Sequence, residues 1–338
     1  MAQTVLVTGG SGFVAGWCIV ELLQRGYAVR TTVRNLAKEP AVRAAVASVT
    51  EAGNALSFCA ADLTADSGWD AAMAGCDFVL HVASPLGADG DKDPAALIAA
   101  ARDGTLRVLR AAINAGVRRV VMTSAATAAT PLLKCADSVS DETQWFDPEE
   151  TIVGAYRISK RLAERAAWDF MQQHRGTAFT TILPGAVFGP ILSPENLGSV
   201  QVIGRLLQGR IAGNPRLGFE VVDVRDLADV HIRAMTSQQS PGERFLATGE
   251  FLWMADISRI LREHLGIAAG KVPTRALPDI MLRLVSLFDP AVRFLTPSLG
   301  RRHVHSTVKA QRVLGWQSRP ATDTLVDCAK SLIASKSV

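Results

Sequence analysis

The sequence predicts an α/β fold, a doubly wound parallel sheet with a smaller C-terminal lobe laid over it. Three observations carry this. Short β-branched runs alternate with longer helical patterns through the first half of the chain. A glycine cluster stands between the first such run and the first helix. Stretches richer in Pro and Gly, at 191–217 and 250–310, interrupt the alternation later.

Taken in order, TVLVTG (4–9) reads as a buried strand and GFVAGWCIVELLQRG (12–26) as a helix closing at Gly26. AVRTTVR (28–34) is the second strand, and AVRAAVASVTEAG (41–53) a helix closed by Gly53. ALSFCAADL (55–63), a short helix at 69–75, FVLHVAS (78–84), a long helix at 94–115 and VRRVVMTS (117–124) continue the pattern. GAYRISKRLAERAAWDF (154–170) is helical, and AFTTILPGAVFGP (178–190) reads as a strand. In FEVVDVRDLADVHIRAM (219–235) a strand gives way to a helix with Asp226 as its N-cap.

The chain has 338 residues, 48% hydrophobic and 20% charged, with a net charge of +4, which is ordinary for a globular enzyme. Its basic residues are scattered, and the pairs at 118–119 and 301–302 are too short for a nucleic-acid footprint. Five cysteines (Cys18, Cys59, Cys76, Cys135, Cys328) are widely spaced and lack a CxxC pair, so they predict reduced core thiols, with neither a disulfide framework nor a zinc site. The N-terminus lacks the basic and apolar regions of a signal peptide. The longest apolar candidate, DIMLRLVSLFDPAVRFL (279–295), is broken by Arg283, Asp289 and Arg293 and reads as an amphipathic lobe or interface segment. A soluble cytoplasmic protein, monomer or homodimer, without a membrane, nucleic-acid or metal partner is the expectation.

TGGSGFVAG (8–16) sits where a dinucleotide fingerprint belongs. Gly10, Gly12 and Ala15 satisfy G-x-G-x-x-G/A, while Gly9 and Gly12 also give a G-x-x-G start. Glycines there let the backbone turn and approach a pyrophosphate, and the helix opened by Phe13 and Val14 turns free N–H groups towards it. The sheet is therefore expected to be Rossmann-type. NAD binders end the second strand on an acid that accepts from the ribose 2′-OH; here TTVRNLAKEP has no acid before Glu39 and offers Arg34 and Lys38. A guanidinium there meets a 2′-phosphate through two bonds, so NADP(H) is predicted, the alternative being a solvated basic loop. Asp62 is placed to reach the adenine amino group or to cap the next turn. Leu63 beside it, and Val82, Ala83 and Ser84 at the end of the fourth strand, are the remaining candidate contacts from this half. The cofactor domain is drawn as 1–190 plus 218–248, and the substrate lobe as 191–217 plus 249–338.

Tyr156 and Lys160 are four apart on a helix and share a face. A tyrosine alone is a poor acid or base near neutrality, and an ammonium alongside favours its phenolate. The same lysine can hold ribose hydroxyls; a surface i,i+4 pair is the bland alternative.

With these pieces in place, the chain resembles an extended short-chain dehydrogenase/reductase of the dihydroflavonol-reductase-like branch, which includes cinnamoyl-CoA reductases and microbial aldehyde and ketone reductases. The resemblance rests on VTGGSGFVAGW, YAVRTTVRN, the DL after strand three, FVLHVASP, GTLRVLRAA, VRRVVMTS, YRISKRLAERAAWDF, ILPGAVFGP and VVDVRDLADVHIRAM, covering 1–235 in order. It implies an NADPH-dependent carbonyl reductase acting on a small-molecule aldehyde or ketone, bulky or aromatic. Tyr156 would be the proton donor and Lys160 its tuner and ribose clamp. Pro184 and Val187 would lie near the nicotinamide.

The resemblance is broken at MTSAATAAT (122–130). The family shows T-S-S, with the second serine holding the carbonyl; here that position is Ala125. Thr127, two residues on and on the same side if the segment stays extended, is one replacement; Ser124, after a register shift, is another. The third option is that no side chain serves. Plant dihydroflavonol reductases carry a flavonoid-contacting asparagine near the position of Thr130, so a flavonoid is not predicted.

Other residues attract weaker readings. His81 reads as a satisfied core histidine, and His303 and His305 alternate as strand ligands might but lack a nearby carboxylate or cysteine in sequence. Asp223, Arg225 and Asp226 read as loop and cap contacts. Phe251, Trp253, Met254, Leu282, Leu287 and Phe288 line a pocket or form the lobe's core, while Phe188, Leu192 and Leu197 are the preferred pocket lining. Two rival functions remain open. One is a nucleotide-sugar epimerase or dehydratase, against which Arg34 speaks. The other is a non-catalytic NADP-sensing protein, for which Ala125 is the support.

Overall fold

Val5, Leu6 and Val7 are wholly buried, and the run that holds them becomes an interior strand of a large sheet. The computed structural model describes residues 2–85, 93–130, 137–145, 154–195, 197–288, 290–293 and 295–338. Its first half alternates as β1 (Thr4–Val7), α1 (Phe13–Gln24), β2 (Ala28–Val33), α2 (Glu39–Ala47), β3 (Leu56–Ala60), α3 (Trp69–Met73), β4 (Phe78–His81), α4 (Pro94–Asn114) and β5 (Arg119–Thr123). There follow β6 (Ser138–Ser140), α5 (Ala155–Met171), β7 (Ala178–Pro184), β8 (Ala186–Phe188), α6 (Val200–Leu207), β9 (Gly218–Asp223), α7 (Val224–Thr236) and β10 (Arg244–Ala247). The remainder is β11 (Phe251–Trp253), α8 (Met254–Leu265), α9 (Asp279–Val285), α10 (Pro290–Arg293), β12 (His303–His305), α11 (Val308–Leu314) and α12 (Ala321–Ala334).

Seven parallel strands run in the order β3-β2-β1-β4-β5-β7-β10. The winding reverses between β1 and β4, and a crevice opens there at the carboxyl ends, where sheets of this kind take ligands. One face is covered by α1 and α7 and by Ala310, Leu314 and Trp316 from near the C-terminus. The other is covered by α4 and α5 through residues such as Val108, Leu109, Ala163 and Ala167. A third core joins α6, α8 and α12 in the lobe.

Several expectations need correction. The stretch 178–190 is two strands: β7 stays in the large sheet, while β8 joins β9 and β11 in a three-stranded sheet. Gly185 makes the break possible, because a Cβ there would lie 2.5 Å from the Glu220 carbonyl oxygen. Helix α7 is capped by Asp223, whose carboxylate accepts from the Arg225 N–H at 2.8 Å. Asp226, the expected cap, instead holds Arg319, with the shortest bond 2.6 Å, while its carbonyl accepts from the Trp316 indole at 2.8 Å. Leu287 and Phe288 are 72% and 89% exposed, so they line neither core nor pocket, whereas Met254 is buried in the lobe. Phe188 is wholly buried against Phe219 in the lobe core. Among the described residues no helix is long and apolar enough to cross a membrane. Cys18, Cys59, Cys76 and Cys328 are free thiols; Cys135 lies outside the described residues.

Candidate active site

The glycine turn between β1 and α1 divides its tasks. Gly9 takes the left-handed conformation, φ +75°, and a Cβ on it would lie 3.0 Å from that of Ala83. Gly10 lets the chain press on β2, where Thr31 Oγ1 stands 2.3 Å from any added Cβ. Gly12 caps α1 without a side-chain bond, and the first turn carries no acid. The opening N–H groups at Phe13 and Val14 therefore face the crevice with the positive end of the helix dipole. The turn is tied to β4 by Thr8, whose Oγ1 accepts from the Val82 and Ala83 N–H groups at 3.1 and 2.9 Å. That leaves the Thr8 hydroxyl proton for His81 Nδ1, 3.0 Å away. Burial pushes the His81 pKa down to about 3, so this imidazole is a neutral part of the core. Ser84 is half-buried beyond it.

At the end of β2, Arg34 is exposed and makes no ion pair among the described residues. Lys38 is paired, its ammonium 3.0 and 2.9 Å from the two carboxylate oxygens of Glu195. Asp62 accepts from the Thr64 N–H and hydroxyl, both at 2.8 Å, and thus caps its own turn. These bonds, with a smaller contribution from Arg34, hold its carboxyl below the ordinary value against the opposing effect of burial. Leu63 next to it packs on Gly104 of α4. A cleft lined by Gly10, Gly12, Phe13, Lys38, Leu192 and Glu195 lies beside the turn, so Leu192 belongs to this side of the molecule.

Helix α5 presents Tyr156 near its start, with 41% of the residue exposed, and Lys160 one turn deeper with 6%. Lys160 Nζ donates to the Thr123 carbonyl at 3.4 Å, which ties the helix to the end of β5. Burial lowers its pKa to about 8, although the Glu164 carboxylate pulls it upward. The phenol departs from expectation. Desolvation raises its pKa, and the opposing charge is Arg157, not Lys160, whose ammonium is turned towards Thr123.

The hydroxyls of MTSAATAAT sort themselves by partner. Thr123 Oγ1 meets His231 Nε2 at 2.7 Å; His231 Nδ1 lies 2.7 Å from the Leu227 carbonyl and takes the proton, so Thr123 donates. Ser124 Oγ donates to Glu164 Oε2 at 2.6 Å and is 2% exposed, so its proton points into the core. Residues Ala126–Ala129 form a 3-10 turn, and the segment does not stay extended. Thr127 Oγ1 is buried with no hydrogen-bond partner, while its carbonyl is fixed by Arg161 Nε at 2.8 Å. Thr130 donates to the Ala126 carbonyl at 3.1 Å and stands 3.2 Å from His305 Nε2. His305 Nδ1 is 2.5 Å from Glu220, a carboxylate far away in sequence. No group of residues suited to a metal ion exists among the described residues. Pro184 is buried at the end of β7, and Val187 is half-buried in β8.

One residue escaped the sequence reading. Glu164, wholly buried, also accepts from Thr181 Oγ1 and Arg244 Nε, each at 2.9 Å, and from the Trp168 indole at 3.3 Å. It welds α5 to β5, β7 and β10. A carboxylate one turn after Lys160 on an amphipathic helix was the available signal.

The model of the NAD dependent epimerase/dehydratase family matches residues 5–247. The chain belongs to that family. It is 36% identical over 265 residues to "Cinnamoyl-CoA reductase 1" of Oryza sativa subsp. japonica, covering 77% of this chain and 75% of that one. It is 32% identical over 269 residues to "Dihydroflavonol 4-reductase" of Arabidopsis thaliana, covering 77% and 69%. In fold it is similar to the yeast methylglyoxal/isovaleraldehyde reductase Gre2 complexed with NADPH, with a TM-score of 0.81 at 23% identity over 99% of both chains. The protein is thus an NAD(P)-dependent oxidoreductase of the extended short-chain dehydrogenase/reductase type.

Proposed function

We propose that the protein reduces an aldehyde or ketone, bulky or aromatic, to the alcohol with NADPH. The observation that carries this is that the glycine turn opens α1 without a side-chain cap at the carboxyl end of β1, while the helix bearing Tyr156 and Lys160 is tied by Lys160 Nζ to the Thr123 carbonyl at the carboxyl end of β5. The residues present fit the cofactor. Gly9 and Gly12 leave backbone where a Cβ would crowd, the first N–H groups of α1 suit a pyrophosphate, and Arg34 with Lys38 suits a 2′-phosphate. Phe13, Val14, Asp62, Leu63, Val82, Ala83, Ser84, Pro184 and Val187 are assigned to the same cofactor. When bound, NADPH supplies the hydride for the carbonyl carbon.

The chain's own part is to hold the carbonyl and deliver a proton. Thr127 Oγ–H donates to the carbonyl oxygen, taking the place that the family serine has at Ala125. Ser124 stays with Glu164 and supports the helix. Tyr156 Oη gives its proton to the same oxygen as charge gathers there, and Thr127 lowers the barrier by steadying that charge. Lys160 would hold the ribose hydroxyls of a bound cofactor, and its ammonium, drawn there from the Thr123 carbonyl, would offset the burial that raises the phenol pKa.

The test is loss of absorbance at about 340 nm from reduced cofactor, with aromatic aldehydes and aryl ketones, for wild type and Tyr156→Phe. The variant is expected to lose on the order of 10²-fold in kcat while NADPH affinity stays within a factor of about two. Equal turnover by the variant would refute the assignment.

A further inference from the structure

We propose that Glu195 sets how strongly this protein prefers a 2′-phosphorylated cofactor, by holding Lys38 until the phosphate takes its place. The inference rests on the reading above that Arg34 and Lys38 receive the 2′-phosphate.

The two cations at that position are not equivalent. Arg34 makes no ion pair among the described residues, whereas Lys38 is bonded to both oxygens of Glu195, at 3.0 and 2.9 Å. Lys38 is set in place by the short turn Leu36–Lys38, which Asn35 caps by accepting from the Ala37 N–H at 2.9 Å. Glu195 arrives from the opposite side of the cleft, on the segment that leaves β8, and 157 residues separate the partners. That segment is pinned both to α1 and to α12. The Pro190 carbonyl accepts from the Trp17 indole at 2.8 Å, the Ile191 N–H donates to Ser331 Oγ at 3.0 Å, and Leu192 packs on Gly16. Its carboxylate is therefore delivered to the rim of the cleft shared by Gly12, Phe13, Lys38 and Leu192.

Both side chains are about half exposed, at 50% and 53%, so the pair is weak enough to be exchanged. A dianionic phosphate seated by Arg34 draws the ammonium away from a carboxylate. Glu195 then remains beside the phosphate as a like charge. It weakens binding of a 2′-phosphorylated nucleotide twice, by competing for Lys38 and by repelling the newcomer, and leaves a nucleotide with a free 2′-OH untouched.

The experiment measures binding of adenosine 2′,5′-bisphosphate and adenosine 5′-monophosphate by calorimetry at low salt. It compares wild type, Glu195→Gln, Lys38→Met and the double variant. Glu195→Gln is expected to tighten the bisphosphate about two- to fivefold, the range of an exposed ion pair, and to leave the monophosphate unchanged. In the Lys38→Met background the gain should shrink to the repulsive part, below about twofold. A wild type that prefers the bisphosphate but does not respond to Glu195→Gln overturns the role of Glu195 alone. Equal tightening of both nucleotides overturns it too, since the effect would then lie on the 5′-phosphate. A wild type that binds both nucleotides equally overturns the 2′-phosphate reading itself.

Discussion

Replacing Glu164 by alanine should cost about 3 kcal/mol of stability, and the structure says why the figure sits at the lower end of the 3–5 kcal/mol expected for breaking a buried ion pair. The carboxylate is wholly buried and takes four side-chain donors: Ser124, Thr181, Arg244 and Trp168. Arg244 is not abandoned when it goes. Its guanidinium also donates to the carbonyls of Glu142 and Gln144, both at 2.8 Å, and lies over the Trp145 ring at 3.7 Å. The stranded groups are chiefly the two buried hydroxyls, worth about 1 kcal/mol each, and one face of a guanidinium that keeps its other partners. A double-mutant cycle over Glu164→Ala and Arg244→Ala, read by urea unfolding with tryptophan fluorescence, isolates the pair. We expect a coupling of about 2 kcal/mol. Losses that add to within about 0.5 kcal/mol would refute the reasoning, because the four bonds would then be geometry without energetic consequence.

Other substitutions separate the roles assigned to neighbouring residues. Thr127→Val should lower kcat on the order of 10²-fold with little change in unfolding midpoint, whereas Ser124→Ala should destabilise by about 1–2 kcal/mol and keep most activity; the reverse pattern, from rates and urea titrations, would return the carbonyl to Ser124. Gly9→Val, placing a branched side chain at φ +75° against Ala83, should abolish detectable NADPH binding in a fluorescence titration, and a normal Kd would show that the turn is not the cofactor cradle. Burial lowers the Lys160 pKa from 10.5 to about 8, so the folded value lies below the unfolded one and cofactor-free stability should rise as pH climbs from 8 towards 10.5. Lys160→Met should then raise Tm at pH 7, by up to about 3 kcal/mol in stability, with the gain fading over that window; a pH-independent difference in Tm would contradict the burial argument.

Much of this was readable from residue order. The strand–helix alternation predicts the large sheet because each run is local and the central ones, such as Val5–Val7 and Arg119–Thr123, are buried on both faces. The glycine turn and the spacing of Tyr156 and Lys160 are local as well. What escaped depends on contacts between distant parts of the chain. Glu164 and Arg244 are 80 residues apart, Lys38 and Glu195 157, and His305 and Glu220 85. The orientation of Thr127 was hidden because the run of small residues and threonines from Thr123 to Thr130 can be extended or 3-10, and Arg161 fixes the turn by binding the Thr127 carbonyl. Phe288 misled for another reason: an apolar residue reads as interior, and this one is 89% exposed.

The covering of α7 has a consequence for how the protein is made. That helix ends at Thr236, yet its cluster includes Ala310, Leu314 and Trp316, with Arg233 donating to the Leu314 carbonyl at 3.1 Å and the Trp316 indole to the Asp226 carbonyl at 2.8 Å. At 5–20 residues per second, a ribosome needs roughly 4–16 s to bring Trp316 out after Thr236. During that interval this side of α7 stands without its cover. A transcript cut short before α11 would leave it so permanently, and the quality-control machinery would meet an apolar surface that the whole fold hides.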